Sequence, residues 1–316
     1  MKEKLTQVVV ILGPTGVGKT AISLALAGRL HAEIVSADSM QIYRGMNIGT
    51  AKATAAERAR IPHHCIDLLE VTERYSAAQY QSDARAAIVQ IQQKEKLPIL
   101  VGGTGLYLRA ALEPYDFSEA KLDLSLRQTL QERATREGNL SLLTELAQID
   151  AKTAAKLHVN DAKRIIRALE VYYTTGKPIS LAEQETEAAE PLYQVVYLGL
   201  TRPREQLYAR IEQRVDEMFT QGLSEEVRQL MRQGLTEQVP AGQALGYKEF
   251  FPYFRGEISL DDVAALLKQN TRRYAKRQMT WFRANPQIHW FDLSTFASEE
   301  ILLDEMEALV QHQLFC

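Results

Sequence analysis

The sequence predicts an α/β protein in which a parallel sheet with flanking helices is interrupted by an all-helical insertion. Three observations predict it. Short apolar or β-branched runs at Val8–Leu12, Glu33–Asp38, Leu97–Val101 and Tyr193–Leu200 alternate with helical patterns, and strands separated by helices imply parallel pairing with helices on both faces. The first run ends in a glycine-rich turn, Gly13 to Gly18. Between Tyr115 and Lys177 the texture changes: up to a closing Gly176-Lys177-Pro178 there is no proline and a single glycine, Gly138, while Leu, Ala and charged residues recur at helical spacing.

The elements follow in order. Val8–Leu12 is continuously apolar, as expected of a strand buried on both faces. A helix should run from about Lys19 to Leu30, with Ile22, Leu24, Leu26 and Leu30 among its apolar residues. Glu33–Asp38 is a second strand whose carboxyl end is an aspartate. Leu97–Val101 is entered through Pro98 and closed by Gly102, Gly103, Thr104 and Gly105, before a helix over Leu106–Leu112. Tyr193–Leu200 precedes a helix opened by Thr201 and Pro203, and Gln287–Phe291 is a candidate fifth strand. These boundaries predict a core in two parts, 1–115 and 193–316, around a helical insertion at 116–192. The glutamate-rich stretch 182–191 is expected to be a solvated linker with some helix.

Composition narrows the function classes. At ~150 residues per domain, 316 residues suggest about two domains. With 46% hydrophobic and 24% charged residues the profile is that of an ordinary globular protein, which excludes collagen-like and disordered classes; Lys and Arg number 37 against 40 Asp and Glu, a net charge of −3 that, taken globally, speaks against nucleic acid. No apolar run approaches ~18 residues, so neither a membrane span nor, despite Lys2 and Lys4, a secretory signal is expected. With only Cys65 and Cys316, a disulfide framework is not expected and a reducing cytoplasm is the simplest home. Local charge density restores nucleic acid as a partner. Lys268, Arg272, Arg273, Lys276, Arg277 and Arg283 occur within sixteen residues without one acid, and a helix there would present a cationic face. Leu267, Tyr274 and Trp281, at seven-residue spacing, are its expected buried stripe. Lys163, Arg164 and Arg167 form a smaller basic cluster.

Gly13-Pro14-Thr15-Gly16-Val17-Gly18-Lys19-Thr20 fits G-x-x-x-x-G-K-[ST], a pattern that arises by chance roughly once in a hundred chains of this size. A strand before it and a helix after it supply the required context. The glycines let the backbone close around an anion, the amides and helix N-terminus supply positive potential, Lys19 reaches the terminal oxygens, and the Thr20 hydroxyl can ligate Mg²⁺. This predicts a bound di- or triphosphate without specifying the reaction. A nucleotide hydrolase adds a strand-end carboxylate to hold its metal, yet the third and fourth strands end in Gly102-Gly103 and Gly199-Leu200. Only Asp38 and Asp292 end strand-like runs. Asp38 is a metal carboxylate or a general base facing a second substrate, and spacing alone leaves both open. Other features read as structural. His63, His64 and Cys65 lack a matching second set of metal ligands, Asp292 reads as a strand-end cap, and Tyr172-Tyr173 as packing. Tyr43, Arg44 and Lys52 carry no role legible from chemistry.

Taken together, GPTGVGKT at 13–20, SADSMQIYRGMNIGTAK at 36–52, Pro62-His63-His64 with Asp67, Tyr75-Ser76-Ala77-Ala78, LVGGTGLYL at 100–108, RIIRALEV at 164–171, Gly246-Tyr247-Lys248-Glu249 and YAKRQMTWFR at 274–283 resemble the tRNA dimethylallyltransferase family in its bacterial form, without the C-terminal zinc finger of some eukaryotic relatives. The resemblance runs in family order from residue 13 to 283. It implies transfer of a dimethylallyl group from dimethylallyl diphosphate to N6 of the adenine 3′-adjacent to the anticodon, with Mg²⁺. By the same resemblance the loop holds pyrophosphate rather than ATP, and Asp38 contacts N6. That nitrogen is a poor nucleophile, so a carboxylate taking its proton is useful. Thr15, Lys19, Thr20 with Mg²⁺, and Arg214 stabilise the departing pyrophosphate. Arg214 falls in a helix whose stripe is Leu207, Ile211, Val215 and Met218; Arg210 shares its other face. Asp38, Ser39, Met40 and Gln41, with Thr104, match the loop that receives the flipped adenine. Arg127, Lys163, Arg164, Arg167, Arg273 and Arg277 are the implied tRNA contacts, on the anticodon stem-loop. A monomer is expected for a chain that wraps an RNA arm.

Two rivals remain on the residues alone. One is an ATP-dependent kinase of a small metabolite or nucleoside, with Asp38 as base and the insertion as lid. The other is a non-catalytic RNA-binding protein whose loop senses nucleotide.

Overall fold

The computed structural model describes residues 5–115 and 123–315. Lys2, Lys4, Cys316 and the first residues of the expected insertion, 116–122, lie outside the described residues. The chain divides into two compact units, Met1–Leu112 with Tyr193–Cys316, and Glu113–Leu192.

The larger unit begins with β1 (Thr6–Leu12), α1 (Lys19–Arg29), β2 (Ala32–Ser36), α2 (Ala55–Arg60), β3 (His63–His64), α3 (Ala77–Gln93), β4 (Leu97–Gly102) and α4 (Gly105–Leu112). The smaller unit holds α5 (Leu124–Glu137), α6 (Asn139–Ile149), α7 (Ala151–Lys156), α8 (Ala162–Thr175) and α9 (Ile179–Ala188). The larger unit then resumes with β5 (Tyr193–Thr201), α10 (Arg204–Thr220), α11 (Leu223–Arg232), α12 (Phe250–Phe254), α13 (Leu260–Phe282), β6 (Ile288–Asp292) and α14 (Glu299–Phe315).

Among the described residues the six strands form one sheet in the order β3-β2-β4-β1-β5-β6, every neighbouring pair parallel. β1 is central, with Val9 opposite Ile99 of β4 and Val196 of β5. Val8, Val9, Val10 and Ile11 are fully buried; a central parallel strand is covered on both faces, and each such side chain stabilises the fold by ~1.5–3 kcal/mol. The parallel arrangement brings the loops after β1, β2, β4 and β5 to one sheet edge, where ligands bind in open α/β folds.

A second apolar cluster fixes the segment that follows β2. Ile42, Tyr43 and Met46 pack with Val215 of α10, Val227 and Leu230 of α11, Tyr247, Phe250 of α12 and Leu267 of α13. The Leu207, Ile211, Val215 and Met218 stripe of α10 is buried. The smaller unit has its own core of Leu130, Leu142, Leu146, Ile165, Ile166 and Leu169.

Residues 182–191, expected as a solvated linker with some helix, are helical as far as Ala188, where α9 ends; Ala, Glu and Gln are strong helix formers. The structure corrects the expected stripe of α13. The buried face of α13 is Val263, Leu267, Thr271, Ala275, Gln278 and Phe282, whereas Trp281 is 43% exposed. A seven-residue repeat drifts by ~20° per step in a straight helix, so Leu267 does not predict the environment of Trp281 two steps on. Tyr173 is also exposed, although it makes an edge contact with Tyr172. Asp292 closes β6, its Oδ1 accepting the backbone N–H of Ser294.

Candidate active site

The phosphate loop joins β1 to α1. Gly18 is the N-cap of α1 at φ +116°, a left-handed conformation that a side chain disfavours and that turns the chain into the helix. Lys19 reaches back across the loop, its Nζ donating to the carbonyls of Gly13 at 2.9 Å and Pro14 at 3.0 Å. Burial, and after it the Arg214 guanidinium, pushes the Lys19 ammonium down to about 8, with Asp38 pulling the other way. An ammonium so placed gains from any anion that joins it.

Three arginines surround the loop from the β5–α10 segment. Arg202 Nε donates to the Val17 carbonyl at 3.2 Å, Arg210 Nε to the Gly16 carbonyl at 3.2 Å, and Arg214 Nη1 to the Thr15 hydroxyl at 3.5 Å. Arg210, to which the sequence alone assigns no role, therefore holds the loop backbone. Arg214 Nε is buried and has no hydrogen-bond partner among the described residues, and burial lowers this guanidinium's pKa. An unmet buried donor is costly unless a ligand completes it.

Asp38 follows β2 at the same sheet edge. Its Oδ1 accepts the Met40 backbone N–H at 2.9 Å, a turn that aligns Ser39, Met40 and Gln41. The Ser39 N–H donates to the Thr104 hydroxyl at 3.3 Å, so the loop after β4 supports the loop after β2. Gln41 accepts from Ser36 at 2.9 Å and donates to the Thr50 carbonyl at 3.3 Å. Lys19, Thr20, Ser36, Asp38, Gln41 and His63 line one cleft. A phosphate cradle and a carboxylate thus face the same space, an arrangement suited to transfer from a diphosphate onto a nucleophile that must lose a proton. Thr20 Oγ1 and the Asp38 carboxylate are hard oxygen donors of the type Mg²⁺ takes. Among the described residues no group of three or more His, Cys, Asp or Glu side chains is placed to hold a metal, so an ion here would have at most Thr20 and Asp38 from this cleft and would rely on substrate oxygens and water for the rest.

Several functional positions are not legible in the sequence. Gln278 of α13 is buried and accepts the Thr15 N–H at 2.9 Å, while its amide donates to the Gly103 carbonyl at 2.9 Å. Glu226 of α11 accepts the backbone N–H groups of Asn47, Ile48 and Gly49 and the Tyr247 hydroxyl, anchoring the loop that carries Gln41's partner Thr50. Lys52 is buried and donates to the Tyr43 carbonyl and to Asp67, which gives it a structural role. For Lys52 and Gln278 the one sequence signal is their place within the 36–52 and 274–283 blocks; for Glu226 there is none, because its contacts join segments far apart in the chain. His63 and His64 form the edge strand β3, and His64 pairs with Glu33 at 2.8 Å. Burial pushes the Cys65 thiol up to about 12, leaving it inert at neutral pH.

The basic residues separate by partner. On α13, Lys268 and Arg272 pair with Asp216 and Glu212, while Arg273 and Arg277 are exposed with no ion-pair partner among the described residues. Within the smaller unit, Arg127, Lys163 and Arg167 line a concavity of about 500 Å³. Arg127 and Arg167 both donate to the buried Glu170 carboxylate, which fixes their heads, and Arg164 pairs with Asp161.

A family model described as IPP transferase matches residues 41–285. The tRNA dimethylallyltransferase of Carboxydothermus hydrogenoformans is 48% identical over 301 residues, covering 95% of this chain and 96% of that protein. That of Bacillus subtilis is 47% identical over 301 residues, 95% of each chain. A solved tRNA isopentenylpyrophosphate transferase from Bacillus halodurans superimposes with a TM-score of 0.73 at 40% identity, covering 98% of this chain and 97% of that one. A eukaryotic dimethylallyltransferase solved acting on tRNA gives a TM-score of 0.83 at 29% identity, with 98% of this chain and 80% of that one covered.

Proposed function

The chain belongs to the IPP transferase family, and on that premise we propose that it transfers a dimethylallyl group from dimethylallyl diphosphate to N6 of the adenine 3′-adjacent to the anticodon in tRNA, releasing pyrophosphate. The observation that carries this reading is the single cleft shared by Lys19, Thr20 and Asp38. The phosphate loop, Gly13 to Thr20, receives the diphosphate. Asp38 accepts the proton that N6 loses as it bonds to the allylic carbon, while the bond from that carbon to the diphosphate oxygen breaks. Lys19, the Thr15 hydroxyl and Arg214 meet the charge that gathers on the leaving group, and the unmet Arg214 Nε supports that role. Mg²⁺ bound through Thr20 would neutralise part of the same charge.

On the RNA side, Ser39, Met40, Gln41 and Thr104 surround the extruded adenine. Arg273 and Arg277 meet backbone phosphates, as do Arg127, Lys163, Arg164 and Arg167 on the smaller unit. Extruding a base from a single-stranded loop costs less than from a duplex. We place the activity in the cytoplasm, where its tRNA substrate is made; among the described residues no helix is long and apolar enough to cross a membrane.

Equilibrium binding with Mg²⁺ present tests the donor. Dimethylallyl diphosphate should displace a bound pyrophosphate analogue at far lower concentration than ATP. Tighter binding of ATP would favour the kinase reading instead.

A further inference from the structure

We propose that Trp281 is a stacking platform for an unpaired nucleobase of the tRNA anticodon loop, beside the target adenine. This rests on the tRNA reading above and adds a contact to it. Trp281 lies on α13 four residues after Arg277 and eight after Arg273, so the three occupy one stripe of the helix surface. Arg273, Lys276, Arg277 and Arg283 are exposed and have no ion-pair partner among the described residues. Lys268 and Arg272, earlier in the same helix, are neutralised by Asp216 and Glu212, each at 2.6 Å. The unopposed positive charge of α13 is therefore concentrated around Trp281.

The indole already packs against the start of α4. Gly105, the first residue of α4, lies so close that a Cβ added to it would meet the indole Nε1 at 1.9 Å and Cδ1 at 2.3 Å. Only a glycine at that position lets the indole rest there. With Gly105 against it, Trp281 remains 43% exposed, so aromatic surface faces solvent beside the exposed cations of the same helix. A pre-positioned ring loses little rotamer freedom on binding. An aromatic face beside guanidinium groups matches an unpaired base with its phosphate, and such stacking is tolerant of base identity.

Location narrows the occupant. Gly105 follows Thr104, whose hydroxyl holds the Ser39 N–H at 3.3 Å, next to Asp38. A base on Trp281 is thus a loop neighbour of the base delivered to Asp38.

Trp290 is the only other tryptophan, so in a Trp290→Phe chain the fluorescence reports Trp281 alone. An unmodified anticodon stem-loop should quench it, and dimethylallyl diphosphate alone should not. Trp281→Ala should weaken stem-loop binding by about tenfold or more, Trp281→Phe should recover most of that loss, and diphosphate affinity should stay unchanged in both. Absence of quenching together with unaltered stem-loop affinity in Trp281→Ala would overturn the proposal while leaving the transferase reading intact. Equal loss of both ligands in the Ala and Phe variants would overturn it in favour of a purely structural tryptophan. Failure of the unaltered chain to bind the stem-loop would remove the tRNA reading and this inference with it.

Discussion

The side-chain carbonyl of Gln278 accepts the backbone N–H of Thr15 at 2.9 Å, tying the phosphate loop to the helix that carries Arg273 and Arg277. The other end of the same amide donates to Gly103 at 2.9 Å, so one side chain fixes the spacing of the β1 and β4 loops. Replacing it by leucine leaves the Gly103 carbonyl unmet in a buried position, at ~1–3 kcal/mol, and frees the half-buried Thr15 N–H from its anchor. Gln278→Leu should therefore raise the KM for dimethylallyl diphosphate by about tenfold or more, with the KM for tRNA much less affected. Steady-state kinetics with each substrate varied separately checks this, and an equal rise in both would place the effect outside the phosphate loop.

Asp38→Ala should retain tRNA binding and lose on the order of 10² to 10⁴ in rate, the range of general-base catalysis. Single-turnover measurement with saturating substrates isolates that step. Near-normal turnover would remove Asp38 as the proton acceptor.

Lys19 titrates at about 8 in the free protein, because burial and Arg214 disfavour its charge. A diphosphate beside it favours the cation, so the pKa rises on binding. Below about 8 both states are protonated and affinity is flat; above it binding must take up a proton, and affinity falls by up to about tenfold per pH unit. Calorimetry at about pH 9, one unit above that value, in buffers of different ionisation enthalpy should detect the uptake. Lys19→Ala should abolish it, weaken the diphosphate, and leave tRNA affinity nearly intact.

Glu33 of β2 has His64, Lys96 and Lys94 around it. Burial alone would raise its pKa, but bonds from these three hold it at about 2, below its ordinary 4.5. Because the folded value lies below the unfolded one, the stabilisation is complete above about 4.5 and is lost as pH falls towards 2. The stability advantage of the parent over Glu33→Gln in urea should shrink between about pH 5 and 3. An advantage constant over that interval would mean that the cluster contributes nothing through ionisation.

Local patterns in the sequence are enough to locate the sheet and the phosphate loop. The β-branched run Val8–Leu12 and the glycine turn after it need no distant partner to be recognised. Asp38 is legible for the same reason, as the acid two residues beyond the end of a strand. The two-residue strand His63–His64 is not, since it is too short to show a period, and α9 is obscured by its charge. Gln278, Glu226 and Arg202 escape because their meaning lies in contacts spanning 175 to 263 residues with Gly103, Val17, Thr15 and the 47–49 amides. Heptad spacing misplaces Trp281 because a straight helix does not keep that period, and its exposure becomes informative only with Gly105 packed against it.

The central claim is the identity of the group transferred and of its acceptor. Unmodified tRNA incubated with dimethylallyl diphosphate labelled in the allyl group, with Mg²⁺ and the protein, should yield one labelled nucleoside on digestion, an N6-substituted adenosine from the position 3′ of the anticodon, whether or not ATP is added. Label that stays out of the tRNA, or phosphate transfer from ATP to a small acceptor without tRNA, would contradict the account.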